Sequence, residues 1–336
     1  LTSGCYDHSW TQATMAKRKA AEAAAGAEVS AGGTERPIRY IGRVRIYATR
    51  DYQAMRTDWE QRVRREIDAA GSVLGPAFGL RLEVVSTHEW KPDCDPAKLQ
   101  ACLRELLAAD SGDDVDWVVG LVAAQPMFTT SFDDLGVASL PGRHIVMRDL
   151  SNMAERDAID EAFAGMPKSR RDEIYRQRLK HKRLAVFLHE WAHTMGAPHT
   201  RGDEHIMYRA YDDEMAGYSD ENMRLIEASL EDRFPLDPAL PNLRRFVQEH
   251  QPERWVPSSY DALLASLQSL PEHSPPAAPS TTAASQAHTF LISGEPDELL
   301  VDVASEDRAR YEDAAARLHG GDSYSAWNLL APLVRR

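Results

Sequence analysis

Hydrophobic and polar positions alternate at the start of the ordered-looking part of the chain. Ile38, Tyr40, Val44, Ile46 and Ala48 share one parity; Arg39, Arg43, Arg45 and Tyr47 share the other. A period of two predicts a strand with one buried face. The period then changes. Met55, Trp59, Val63, Ile67 and Ala70 recur every three or four residues, which predicts a helix capped near Asp58 and ended by Gly71. Gly79 leads into a second strand carrying Leu80, Leu82 and Val84. Strand, helix, strand predicts a right-handed crossover between parallel neighbours. Residues 96–109 read as a short helix, and 115–122 as a nearly continuous apolar run, the pattern of a central strand covered on both faces. Short strands are predicted at 135–140 and 144–147, around Pro141-Gly142. Ser151 is placed to cap a helix through Ala164, with Gly165 as its stop. Ser219 is placed to cap a last helix carrying Met223, Ile226 and Leu230. The pattern as a whole predicts an α/β chain of α+β type.

Between those two helices the pattern carries chemistry. Leu184, Leu188, Trp191 and Met195 form one apolar helical stripe, and His189 and His193 lie on the opposite side of the cylinder. The stretch from His189 to His199 reads H-E-x-x-H-x-x-G-x-x-H. Two histidines four apart project from one helix face and offer two corners of a zinc shell. A helix cannot deliver the third corner. Gly196 can take a left-handed conformation and end the helix, Pro198 keeps it from resuming, and His199 then turns back as the third ligand. His205 and Asp203 stand in the same loop as rival third ligands; Gly196 and Pro198 favour His199. The fourth position is left for water, and Glu190, adjacent to the first ligand, is placed as its general base. Two core histidines on an ordinary amphipathic helix would not explain Glu190, Gly196 and a third histidine at these offsets.

This motif resembles that of the metzincin zinc endopeptidases. Ile206-Met207-Tyr208-Arg209-Ala210-Tyr211 resembles the L-M-Y-P-x-Y stretch of the matrixins, with Arg209 where that pattern has proline. The resemblance implies a twisted mixed sheet with two main helices, an active-site zinc helix, a Met-turn at Met207 and a C-terminal helix. It implies one catalytic Zn2+ and peptide-bond hydrolysis, with Tyr208 and Tyr211 as candidates for the oxyanion site or the S1′ wall. It places strand 135–140 on the upper rim of the cleft, where an extended peptide pairs with it. Ca2+ sites accompany matrixin-like domains, but no calcium loop stands out here. Thus the expected substrate is a peptide or protein. Rival readings are a zinc-bearing binding or scaffold protein, and a peptidase restricted to one partner or to a cell-wall peptide. Residues 170–183, dense in Arg and Lys, read as a solvated helix face, or more sharply as a preference for acidic substrate residues.

Charge and composition narrow the setting. Among 336 residues, 52 acids outnumber 39 bases, a net charge of −13, which argues against nucleic acid as partner. No apolar run approaches the length of a membrane span. Leu1-Thr2-Ser3-Gly4-Cys5 resembles the end of a bacterial lipoprotein signal, which would make Cys5 a lipidation site, anchor the chain to a membrane and place it in the cell envelope or outside the cell; a free cysteine in a terminal tether is the alternative. Cys94 and Cys102 close a short disulfide loop in an exported protein, or are free thiols. The expected organisation is a tether at 1–36, a catalytic domain at 37–240, an extension packed on it at 241–271, a Pro/Ala/Ser/Thr linker at 272–288 and a small helical hairpin at 289–336. The tether lacks the sequence context of an inhibitory cysteine, and nothing in the chain indicates an oligomeric state.

Overall fold

The computed structural model describes residues 36–270, except 56, 124–128, 213–214, 216 and 252. Cys5, most of the tether, the linker and the hairpin lie outside the described residues.

The alternating segment forms β1 (Tyr40–Thr49); on the predicted face Val44, Ile46 and Ala48 are fully buried and Tyr40 is half-buried, while Ile38 lies before the strand and is exposed. After a short helix α1 (Arg50–Ala54) comes α2 (Trp59–Phe78). The helix does not stop at Gly71. Val73, Leu74, Ala77 and Phe78 extend its buried stripe by two turns, and it ends at Gly79, which adopts the left-handed conformation at φ 68°. An apolar stripe with a core to enter outweighs one mid-helix glycine, whose cost is about 1 kcal/mol. Met55, counted above as the start of that stripe, lies before the helix and is exposed.

The remaining sheet follows: β2 (Leu80–Trp90), helix α3 (Leu99–Ala109), β3 (Trp117–Val122), a single-turn helix α4 (Phe132–Leu135), β4 (Gly136–Ala138) and β5 (His144–Arg148). The five strands lie in the order β2-β1-β3-β5-β4. All neighbours are parallel except β4, which runs antiparallel to β5 at the edge. The result is a mixed α/β protein with a five-stranded mixed sheet. All six residues of β3 are buried because helices cover both faces. Val118, Val122 and Val146 pack with α3, and Cys94 and Cys102 are joined by a disulfide on that side. Trp117, Val119, Leu121, Ile145 and Met147 face α2 and the longest described helix.

That helix, α6 (Lys168–Thr194), follows α5 (Met153–Ala162). α5 is capped by Asn152 rather than Ser151, the Asn152 side chain accepting from the Glu155 amide, and it ends before the expected Ala164. The basic stretch at the start of α6 is not a solvated face throughout. Arg178 and Lys182 pair with buried Glu155, Arg171 with Asp160, and Arg183 with Asp149, which also accepts from Arg62 of α2. α7 (Asp220–Arg233) is capped by Ser219, as predicted. Two further helices, α8 (Pro241–Glu249) and α9 (Pro257–Ser269), pack their Leu243, Val247, Leu263 and Leu267 into the main core. α8 has no side-chain cap of its own; the Asp232 carboxylate of α7 accepts from the Asn242 and Leu243 amides instead. Among the described residues no helix is long and apolar enough to cross a membrane.

Candidate metal centre

α6 is docked before its histidines can act. Trp191 is fully buried against Phe78 and Trp117, and the Trp117 indole donates to Thr194 Oγ1 at 2.9 Å. Gly42 of β1 leaves the room this needs: a Cβ there would stand 2.3 Å from the Trp117 ring. The helix C-terminus is held by Arg233 of α7, whose guanidinium donates to the Thr194 and Asp116 carbonyls and lies over the Trp117 ring. A cation suits a helix C-terminus, where the carbonyls are left without intrahelical partners.

Gly196 ends the helix at φ 89°, and Leu243 and Leu263 press against it, so both its conformation and its lack of a side chain are used. The chain turns tightly enough for the Ala197 carbonyl to accept from His193 Nδ1 at 2.8 Å. His189 Nδ1 donates to the Ile206 carbonyl at 2.6 Å, on the segment just before Met207. His199 Nδ1 meets Ser259 Oγ of α9 at 3.0 Å. The three outer ring nitrogens are therefore all engaged, and the three inner ones converge. Nε2–Nε2 separations are 3.1 Å (His189–His193), 3.2 Å (His193–His199) and 3.2 Å (His189–His199).

This arrangement fits a metal ion. Carbonyl oxygens only accept, so His189 and His193 carry their protons on Nδ1 and present bare lone pairs at Nε2. Two such lone pairs 3.1 Å apart repel unless a cation lies between them. Zinc with nitrogen ligands at about 2.0–2.1 Å in a tetrahedral shell sets neighbouring nitrogens about 3.3 Å apart, close to what is seen. Burial also keeps the rings neutral: it lowers His189 well below the usual range, His193 to about 4 and His199 to about 3. Among the described residues, these three form the one group of His, Cys, Asp or Glu side chains that could hold a metal ion. His205 stands apart, beside Glu204 and Arg254, and Asp203 is exposed.

Glu190 is buried beside His189, and burial together with the charge of Asp133 raises its pKa well above the carboxylate range. It faces the edge strand. A Cβ on Gly136 would lie 2.6 Å from Glu190 Cγ and 2.8 Å from its Oε1. Gly136 is extended, with φ −155°, so space and not backbone conformation demands glycine there. Met207 is fully buried, and its carbonyl accepts from the Thr200 amide, closing the loop beneath the histidines. Tyr211 is buried with its hydroxyl at 2.8 Å from His181 Nδ1; Tyr208 is half-buried. Arg209, in the proline position, donates to Ser258 Oγ at 3.2 Å.

Three contributors had no signal in the motif. Phe132 of α4 stacks face to face on His189, with centroids 4.1 Å apart and planes 9° from parallel. Gly136 and Ser259 are the others. All three come from segments whose local pattern reads as ordinary loop, strand or helix.

No family model matches the chain, and no curated protein matches it. Among solved structures, archaemetzincin from Methanopyrus kandleri is similar with a TM-score of 0.38 and 15% identity, over 56% of this chain and 96% of that one. A chaperone–substrate complex is similar with a TM-score of 0.36 and 11% identity, over 64% of this chain and 36% of that one. Likeness at that level carries no argument about function.

Proposed function

We propose that this chain is a zinc-dependent endopeptidase of metzincin type, with a matrixin-like Met-turn. The observation that carries the reading is the convergence of three Nε2 lone pairs within 3.2 Å, each ring held from behind, with an acidic side chain next to the first. His189, His193 and His199 would hold the ion. When bound, zinc acts as a Lewis acid that acidifies a water and polarises the scissile carbonyl. Glu190 would take a proton from an attacking water on its carboxylate and hand it to the leaving amine. A base is superfluous in a purely structural zinc site, which ordinarily closes its fourth position with Cys or His. β4 ends the sheet with Gly136 against Glu190, so a peptide added along that edge runs beside the base. Tyr208 remains the candidate to steady the oxyanion. Tyr211 is already bonded to His181 and serves better as a support for α6. The Cys94–Cys102 disulfide supports an exported protein, and lipid attachment at Cys5 stays part of this proposal.

The test is cleavage of an unfolded protein such as casein by the wild type and Glu190→Ala, with zinc measured in both. The expected result is zinc in both and cleavage by the wild type alone, a loss of at least about 10²-fold. Cleavage by Glu190→Ala at the wild-type rate would sink the general-base role. Zinc in both with no cleavage in either would point to a binding protein or a peptidase of narrow substrate.

A further inference from the structure

The third histidine is held differently from the other two. His189 and His193 rise from α6, and their outer nitrogens bond to carbonyls of the adjoining turn and loop, at Ile206 and Ala197. His199 lies beyond the helix end and has no helical backbone to fix it. Its surroundings come instead from residues 254–259, more than fifty positions later. The Val256 amide donates to the His199 carbonyl at 2.9 Å, and the Arg201 amide donates to the Arg254 carbonyl at 2.8 Å. Thr200 and Trp255 pair as an antiparallel bridge. The Trp255 indole donates to Asn222 Oδ1 at 2.8 Å, and Asn222 Nδ2 donates to the Pro198 carbonyl, so the residue before His199 is tied down as well. Ser259, in the first turn of α9, then reaches the ring itself at 3.0 Å. It is 9% exposed and fixed by its place on a 13-residue helix whose Leu263 packs against Gly196.

We infer that Ser259 is a positioning residue for His199, and that α9 is a structural part of the metal centre and not a neighbouring appendage. The inference rests on the metal-binding half of the function proposed above. A hydroxyl against Nδ1 holds the ring plane and keeps Nε2 turned inward. A methyl group in its place leaves His199 free to rotate about its side-chain bonds while its backbone stays in the bridge to residues 254–256. Hydrogen bonds behind metal-bound histidines typically matter by about 10–100-fold in metal affinity.

The test uses the full 336-residue chain, stripped of metal and titrated with zinc against a chelating indicator. The variants are Ser259→Ala, Ser259→Thr and, at the far end of the same helix, Ser269→Ala. Cobalt is loaded in parallel, because its visible absorption reports the geometry of the ligand shell. The expected result is zinc binding weakened about 10–100-fold in Ser259→Ala, with an altered cobalt spectrum, and near wild-type binding in Ser259→Thr and Ser269→Ala. Metal-free Ser259→Ala should unfold within a few degrees of the metal-free wild type, which separates loss of positioning from loss of folding. A Ser259→Ala protein that binds zinc within twofold of wild type, with the wild-type cobalt spectrum, overturns the inference and leaves the peptidase reading standing. Weakened zinc binding in Ser259→Ala, in a wild type that binds zinc but cleaves nothing, supports the inference while leaving the function to a binding protein or a peptidase of narrow substrate.

Discussion

The two halves of α6 are one continuous helix built on different physics. From Lys168 to Arg183 it is a charged helix whose cations find acids on α5, on α2 and after β5. From Leu184 to Thr194 it is enclosed almost all the way round. Leu188, Trp191 and Ala192 are fully buried on one side, while His189 and Glu190 are nearly so on the other. In the first half a side chain can be exchanged where water can replace its partner. In the second half most positions have no water to fall back on, so substitutions there are felt either as packing or as site geometry. Phe132 packs on His189, Gly136 on Glu190 and Ser259 on His199, and His193 is the more accessible of the two ring ligands on the helix.

The contrast can be broken most directly at Trp191. Trp191→Ala removes a fully buried indole from the junction of α2, α6 and the sheet, and should cost about 3–5 kcal/mol. Urea unfolding measures it; a loss under about 1 kcal/mol would mean the second half is not held by packing.

Acid gives the next largest effect through the buried histidines of the site. Burial holds His193 at about 4 and His199 at about 3, against an ordinary value of 6.5. Between those values the unfolded chain takes up protons that the folded, metal-free chain refuses. Stability therefore falls as pH drops from about 6.5 towards about 4, and these groups add no slope above that window. Thermal midpoints of the metal-free protein should fall through that window, and fall less steeply in His193→Gln. Equal slopes in the two proteins would contradict the desolvation account.

Gly136→Ala sharpens the comparison from the strand side. The added methyl meets Glu190 at under 3 Å, and either the edge strand or the carboxylate must move. We expect turnover to fall about 10–100-fold, with zinc content unchanged and stability lower by about 1–3 kcal/mol. Unchanged turnover would mean that Glu190 tolerates displacement and is not the base.

The smallest effect belongs to the first half. Arg176 has a side chain 68% exposed and pairs with Glu173 one turn away. Arg176→Ala should change stability by less than about 0.5 kcal/mol, as for most exposed ion pairs. A loss comparable to that at Trp191 would erase the distinction between the halves.

Legibility followed the range of each interaction. β1, the buried run of β3, the Ser219 cap and the turn at Gly196 rest on contacts within a few residues, and local pattern exposes these. The end of α2 was misread because a glycine was weighed without knowing that Phe78 and Leu74 had a core to enter. The basic run was misread as solvated because nothing local reveals that Glu155 and Asp149 face it across a core.

By itself the chain determined which residues can ligate and how: three histidines at offsets of four and six, a glycine able to turn the chain between them, and a carboxylate beside the first. Those are properties of covalent spacing and backbone geometry, which act before any long-range contact forms. The tertiary structure decided the rest. It chose which ring nitrogen faces inward, by setting the Ile206 and Ala197 carbonyls and the Ser259 hydroxyl behind the rings. It also set Phe132 on His189 and left room for Glu190 at Gly136. A side chain's aim depends on what packs behind it, and those partners lie up to sixty residues away, where no periodic pattern records them.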